Sequence, residues 1–153
     1  MKLKNSLSVI SFFFFLILSG PHFLSAQNDA WGTLSMVEIE KKFQPEFGME
    51  VMIPTVSPLT MALNGKVIEV EGYYIALTAK TAQSHFMLSR YPQSMCFFCG
   101  KAGPESAMQV FMKDNIKVPY TEEKITVKGV LSINPTNPNE LLYTLTDAVL
   151  IKK

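Results

Sequence analysis

The alternation of apolar and polar residues constrains the fold of this chain more than any other feature. The stretch Ile125-Thr-Val-Lys-Gly-Val-Leu-Ser-Ile133 shows it most clearly, and from Trp31 onward the apolar period is mostly two. Successive side chains of a strand point to opposite faces, so a period of two indicates strands with one buried face. The sequence therefore predicts an all-β protein.

The longest predicted strand runs from Val67 to Leu77, directly after a turn at Asn64-Gly65. Asn-Gly accepts the positive φ that such turns need. The apolar face of this strand carries Ile68, Val70, Gly72 and Tyr74. A glycine in the middle of a strand predicts a bulge or a sharp bend, which would let the sheet curl into a barrel.

Four further strands complete the predicted sheet. Three of them are 85–88, 125–133 and 141–151, and the proline-broken segment 134–139 between the last two predicts a loop. The segment 105–113 alternates as a strand would, although Pro104 could also begin a helix there. The strand is favoured, because a polar turn at 113–115 leaves little length for a helix.

Five strands with a long, bent first member predict a small OB-like, partly open Greek-key barrel over residues 63–153. A seven-stranded sandwich would need more turn signals than the sequence contains. Residues 27–62 hold apolar pairs in broken periods, and we expect an irregular or stranded N-terminal extension that packs on the barrel.

Residues 1–26 have the order of a cleaved secretory signal peptide. Lys2 and Lys4 precede an apolar run from Val9 to Leu18, and Leu24-Ser25-Ala26 ends in a small residue suited to cleavage. The run is shorter than the roughly 20 apolar residues that span a bilayer. An uncleaved anchor is the alternative. No cysteine stands near the cleavage point, so a lipid anchor is not predicted.

Removing 26 residues from 153 leaves 127, enough for one domain with a core. Two lysines leave with them, so 12 basic residues face 13 acids and the net charge becomes −1. Near-zero charge without a basic run argues against nucleic acid and against an anionic membrane surface as partners. We therefore expect an exported protein with no stable membrane insertion after cleavage.

Cys96 and Cys99 form a Cys-x-x-Cys motif, which is the strongest candidate for a functional site in the sequence. In an oxidising compartment they could form a disulfide, although so short a loop gains little stability from one. They could instead be half of a tetrahedral zinc site, with His85 and Glu105 as further ligands or a second copy adding two sulfurs. The adjacent Met95 raises copper(I) as another soft ion. An ordinary strand histidine and a solvated acid are the structural alternatives for His85 and Glu105.

A redox centre is the third reading of the cysteine pair. Such centres need a thiolate of low pKa at a helix N-terminus, and the residues from Gly100 to Pro104 do not favour a helix. Phe97 and Phe98 provide apolar surroundings that favour the neutral thiol. Only one histidine remains after signal cleavage, and no glycine-rich phosphate loop is present. A non-enzymatic protein is therefore predicted, with a thiol–disulfide redox protein as the alternative.

Several motifs together resemble a family of small exported proteins and lipoproteins of unknown function from Gram-negative bacteria. They are Trp31-x-x-Leu34, Leu63-x-Gly65-Lys66-x-Ile68-x-Val70-x-Gly72-Tyr73, Phe86-x-Leu88-Ser89, Cys96-Phe97-Phe98-Cys99-Gly100 and Gly103-Pro104-Glu105-Ser106. The resemblance implies a compact β-barrel in the periplasm, and some members are encoded beside transporter components linked to metal supply. It implies no catalytic residue.

These observations lead to one main expectation and two alternatives. We expect an exported accessory protein whose Cys-x-x-Cys loop binds a soft metal ion, zinc being favoured, or docks a membrane transporter component. The predicted metal ligands are Cys96, Cys99, His85 and Glu105. A redox protein, or a plain β-barrel ligand-binding module in which Cys96 and Cys99 form a structural disulfide, remains open.

Overall fold

Strands predominate in the computed structural model, which describes residues 29–46, 48–137 and 140–152. The predicted signal peptide, residues 1–26, lies outside the described residues. The elements are α1 Ala30–Leu34, β1 Val37–Gln44, β2 Met49–Val56, α2 Pro58–Met61, β3 Val67–Ile75, β4 Ala82–Gln83, β5 His85–Ser89, β6 Ala107–Met112, β7 Val118–Pro119, β8 Lys124–Ile133 and β9 Tyr143–Lys152.

Five strands close into a barrel in the order β3-β5-β6-β9-β8. Neighbouring strands are antiparallel except β6 and β9, which are parallel. Counted along the barrel alone, this is the order 1-2-3-5-4 of an OB-type barrel. The predicted all-β, OB-like barrel is therefore confirmed, and it is closed where the sequence suggested a partly open one.

Gly72 lies where β3 passes from one neighbour to the other. Tyr73 pairs with both Ser89 of β5 and Lys124 of β8, so β3 changes partners at this point. A Cβ atom on Gly72 would lie 2.7 Å from the carbonyl oxygen of Ser89. The register between β3 and β8 runs unbroken through Gly72, so the glycine marks a close strand contact and not the predicted bulge.

Irregular register occurs along β9, where it pairs with β8 and also where it pairs with β6. Lys128 pairs with Val149 and Val130 with Thr146, so two residues of β9, Asp147 and Ala148, stand opposite the single Gly129 of β8. Asp147, in this bulge, has a φ of 50°, and a Cβ on Gly129 would lie 2.7 Å from the carbonyl oxygen of Thr146. Such a bulge bends a strand and increases its twist, which helps a small barrel to close.

The ambiguous segment 105–113 is the strand β6, as predicted. The helical tendency of Pro104 is confined to one three-ten turn, Pro104–Ser106, directly before the strand. A three-ten turn of this length is a usual lead-in to a regular element. The strand therefore takes its place between β5 and β9, where Met108 and Val110 reach the core.

The N-terminal extension contributes residues to the barrel core. Trp31 and Leu34 of α1 are buried among the apolar side chains of the barrel strands. The Trp31 Nε1–H donates to the carbonyl oxygen of Glu71 at 2.7 Å, and the Tyr143 hydroxyl donates to that of Leu34 at 2.6 Å. Two long-range hydrogen bonds and two buried side chains thus join α1 to β3 and β9.

The rest of the extension is a hairpin of β1 and β2, paired from Val37↔Val56 to Gln44↔Met49. Val37 and Val56, at its base, pack against the barrel core. Phe43 and Met49, towards the tip, are 62% and 59% exposed. The hairpin therefore projects from the barrel. Neither helix of the described residues is long or apolar enough to cross a bilayer.

Candidate functional site

The cysteine pair lies on the loop between β5 and β6, in two consecutive three-ten turns, Gln93–Met95 and Phe97–Cys99. Cys96 caps the second turn, and Gly100, with a φ of 70°, ends it. A left-handed residue at such an end is usually glycine, because a Cβ atom is disfavoured there. The prediction that no helix starts at the cysteines therefore needs a correction: one three-residue turn does, but it is too short for an appreciable helix dipole.

The two thiols differ strongly in exposure. Cys96 is 1% exposed, whereas Cys99 is exposed to solvent. Their Sγ atoms lie 3.8 Å apart, and the Cys99 thiol donates to the carbonyl oxygen of Gln93 at 2.9 Å. Both cysteines are free thiols. One sulfur of the pair is therefore accessible to a reagent, while the other lies behind it.

The surroundings of Cys99 favour its neutral thiol over the thiolate. The hydrogen bond with Cys96 is the main cause that raises the pKa of the Cys99 thiol, and the charge of Lys101 opposes this only in part. The thiolate is the nucleophile in thiol–disulfide exchange, and reactive cysteines normally have a lowered pKa. The direction of the shift at Cys99 therefore does not indicate an activated thiolate.

The separation of the two sulfurs can be compared with two kinds of bond. A disulfide needs a sulfur–sulfur distance of about 2.05 Å, so the two thiols are in contact and not bonded. A tetrahedral zinc ion with Zn–S distances of about 2.3 Å holds its sulfurs about 3.8 Å apart. The observed 3.8 Å between Cys96 and Cys99 thus matches one edge of a zinc–thiolate site.

His85, a predicted zinc ligand, lies at the far end of β5 from the cysteine loop. Ser89, at the loop end of the strand, is four steps further along β5, a span of about 13 Å. Its ring stacks on Phe111 with 4.1 Å between ring centroids, and its Nε2 lies 3.1 Å from Oε1 of Gln109. The His85 ring therefore interacts with residues of the neighbouring strand β6 and not with the cysteines.

Glu105, the other predicted ligand, is partly buried, and its Oε2 has no hydrogen-bond partner among the described residues. Its carboxylate folds against Gly103, where a Cβ atom would overlap with it. Its charge adds to burial in raising the pKa of Tyr143. The described residues contain no group of three or more histidine, cysteine or acidic side chains that could hold a metal ion. The structure thus brings together the two cysteines but not the predicted set of four.

Sequence reasoning missed a cleft of about 860 Å³ beside the loop, between the hairpin and the barrel. One wall is formed by β2 and the tip of the hairpin, and the other by the barrel and its loops. The lining residues are Gln44, Glu46, Val51, Met52, Ile53, Pro54, Phe97, Pro104, Gln109, Asn134, Pro135, Thr136, Asn137, Glu140, Leu141 and Leu142.

The cysteine loop is part of this cleft through Phe97. Phe97 packs on the outside of the barrel, over a small buried cluster of Ile75, Met87 and Ala107. Gln109, which lies opposite Met87 in the β5–β6 ladder, continues the same face into the cleft. The outer face of the second and third strands is where OB-type barrels bind their ligands. The cysteines thus stand beside the face on which this fold usually binds.

Comparison of the chain with models of protein families, with curated proteins and with solved structures gives no match. The fold and the site therefore define the protein by themselves: a small closed OB-like barrel with a projecting hairpin and a cleft bordered by a dithiol loop. The resemblance to exported proteins and lipoproteins stays a prediction.

Proposed function

We propose that the protein is an exported, non-enzymatic accessory protein that binds a partner in the cleft between hairpin and barrel. The cleft carries this proposal, because its volume of about 860 Å³ lies within the range of roughly 300–1,000 Å³ of ligand sites. Its wall includes Phe97 of the cysteine loop, which links the cleft to the most distinctive motif of the sequence.

The proposed partner is a membrane transporter component in the periplasm, as the family resemblance suggests. The register of the projecting hairpin places Phe43 and Met52 on the same face, where they are 62% and 44% exposed. This supports a docking role, because large exposed apolar side chains grouped together often mark an interaction surface. The raised pKa of Cys99 and the separation of His85 from the cysteines support a role without catalysis.

Two neighbouring phenylalanines provide a matched test of the cleft. Phe97 lines it, whereas Phe98 is 53% exposed and lies outside it. Peptides selected from a displayed library on the purified protein are expected to lose most of their affinity with Phe97→Ala and to keep it with Phe98→Ala. If no peptide is selected, or if both variants bind as the parent does, the cleft is not the binding site.

A soft metal ion, zinc first and copper(I) second, is the other candidate ligand of the loop. The 3.8 Å between the two sulfurs supports it, since a tetrahedral zinc–thiolate site needs this spacing. The remaining ligands would come from a docked partner or from a second copy, because His85 and Glu105 do not join the pair. Absence of zinc or copper(I) binding by the reduced protein, relative to Cys96→Ser/Cys99→Ser, would exclude this candidate.

A thiol–disulfide enzyme and a structural disulfide are the remaining readings. The first receives little support from a buried Cys96 and an exposed Cys99 of raised pKa. Turnover in an insulin-coupled assay that disappears with Cys96→Ser would nevertheless establish it. The second would appear as a loss of two hydrogens in the mass of the natively exported protein, without any retained metal.

A further inference from the structure

One wall of the cleft is the edge of β2. Four consecutive residues of this strand, Val51 to Pro54, line the cleft. Alternate residues of a strand point to opposite faces, so one face alone would contribute only every second residue. Four in a row indicate that the backbone edge of β2 borders the open space.

This edge is free of other strands in the described part of the chain. β2 pairs with β1 alone, in a separate two-stranded sheet. On the opposite side of the cleft, β6 is held between β5 and β9 of the closed barrel and offers no edge. An unpaired strand edge is a template for a further strand, and several peptide-binding proteins use such an edge.

The charges of the cleft are all of one sign. Glu46 and Glu140 line it, and no lysine, arginine or histidine is among the described residues that do so. Lys42, nearby on β1, is paired with Glu40 at 2.8 Å. Apolar side chains, including Ile53, Phe97 and Leu142, form the rest of the wall together with uncharged polar groups. Among its described lining residues, the cleft thus offers an apolar surface with two carboxylates and no basic side chain.

We propose that the cleft binds an extended peptide segment of a partner protein, added as a third strand along the edge of β2. The segment carries apolar side chains towards Phe97 and Ile53 and a basic side chain towards Glu46 and Glu140. Pro54 has no N–H to donate, so pairing centres on residues 51–53. This inference rests on the proposed binding function and names the chemistry of its partner.

The charge preference can be tested with three labelled peptides of eight residues, the length of β2. Each alternates valine and threonine and carries lysine, glutamate or glutamine at a central position. We expect the lysine peptide to bind the purified protein about threefold to tenfold more tightly than the glutamate peptide. The preference is expected to disappear with Glu46→Gln/Glu140→Gln and to persist with Glu122→Gln/Glu123→Gln, a pair of exposed acids outside the cleft.

The strand addition is tested with backbone N-methylation of the lysine peptide. In a paired strand, alternate residues direct their N–H groups towards the neighbouring strand, so methylation of one alternate set should abolish binding. Methylation of the other set should leave binding within about twofold of the parent peptide. Equal binding of both methylated peptides and the parent would overturn the proposed pairing.

The outcomes also separate this inference from the function on which it rests. If the three peptides bind equally and Phe97→Ala weakens all of them, the cleft binds peptides but the charge preference is wrong. If none of the three binds while library selection still yields Phe97-dependent peptides, the strand-addition chemistry is wrong and the binding function stands. If library selection fails as well, the binding function itself is wrong.

Discussion

At the scale of single residues, the two cysteines differ in their exposure to solvent and therefore in their accessibility to a reagent. Cys96 is buried and Cys99 is exposed, and their hydrogen bond raises the pKa of Cys99. Reactive cysteines have the opposite property, a lowered pKa in an electropositive setting. The direction of the pKa shift at Cys99 therefore gives no sign of an activated thiolate in the pair.

The reactivity of Cys99 gives a test of this asymmetry. In the reduced protein, iodoacetamide is expected to modify Cys99 and to spare the buried Cys96. Because its pKa is raised, the alkylation rate should reach half of its maximum above the pH of about 8.5 that is typical of free thiols. Cys96→Ala removes the hydrogen bond that is the main cause of the raised pKa, so it should lower that midpoint. Mass spectrometry over a pH series measures the alkylation rate. An unchanged midpoint in Cys96→Ala would show that Cys96 does not control Cys99.

Gly72 gives a residue-scale prediction on stability. A Cβ atom there would lie 2.7 Å from the Ser89 carbonyl oxygen and 2.9 Å from Cγ of Leu88. Gly72→Ala should therefore lower the free energy of unfolding by about 1–3 kcal/mol, measured by urea denaturation. Gly32→Ala is the matched control, because its nearest contact would be an ordinary 3.6 Å and alanine favours the helix α1. Equal stability of the two variants would contradict this account.

At the scale of elements, α1 is the least predictable part of the fold and one of the most important. A helix of five residues has no stability of its own in water, so its position depends on tertiary contacts. Trp31 and Leu34 supply those contacts by burial, and the Tyr143 hydroxyl binds the Leu34 carbonyl at the end of the helix. The sequence pattern contains no sign of this last contact, which joins residues 109 positions apart.

The Tyr143 hydroxyl provides a test of how α1 is held. Tyr143→Phe leaves the Leu34 carbonyl without this donor and should lower the free energy of unfolding by about 1–2 kcal/mol near neutral pH. Tyr91→Phe, on an exposed side chain, should change it by less than about 0.5 kcal/mol. A loss of the same small size in both variants would mean that the contact to Leu34 does not stabilise α1.

Tyr143 also predicts a dependence of stability on pH. Burial, and then the charge of Glu105, raise the pKa of Tyr143 above the value near 10 of an unfolded tyrosine. Above pH 10 the unfolded chain therefore loses a proton that the native protein keeps, so stability falls as pH rises. Tyr143→Phe has no such proton, and the difference in unfolding free energy between it and the parent should narrow above pH 10. A constant difference would contradict the raised pKa.

At the scale of the whole molecule, the extension and the barrel share one core. Trp31 and Leu34 lie among barrel residues such as Phe86 and Leu145, while the hairpin touches that core only at its base, Val37 and Val56. The boundary between residues 62 and 63, drawn from the sequence, therefore crosses a packed interior. The hairpin is the separable part, and α1 is not.

Two deletions test this division of the molecule. Residues 63–153 alone should fail to unfold cooperatively or lose several kcal/mol of stability, because the core loses two large buried side chains. Replacing residues 38–55 by an Asn-Gly turn, which joins the paired Val37 and Val56, should keep the cooperative transition within about 1 kcal/mol of the parent. If the hairpin deletion proves as damaging as the larger truncation, the hairpin also belongs to the folding core. Urea denaturation followed by circular dichroism measures both.

The sequence by itself determined the barrel strands, including β6, because a period of two is a local property that burial of one face imposes on each strand. It also indicated that β3 needs a glycine at position 72, although the reason is a close strand contact and not a bulge. The position of the cysteines on a loop was predicted as well. Only the tertiary structure decided that the first strand contacts both β5 and β8, that α1 completes the core, and that β2 and Phe97 face each other across a cleft. Those features depend on contacts between residues far apart in the chain, which a local pattern does not encode. For the same reason the four predicted metal ligands do not come together among the described residues. His85 is on β5, the strand that leads into the cysteine loop, but it lies at the far end of that strand. Glu105 follows the cysteines in the loop, but its carboxylate folds against Gly103 and not towards the sulfurs.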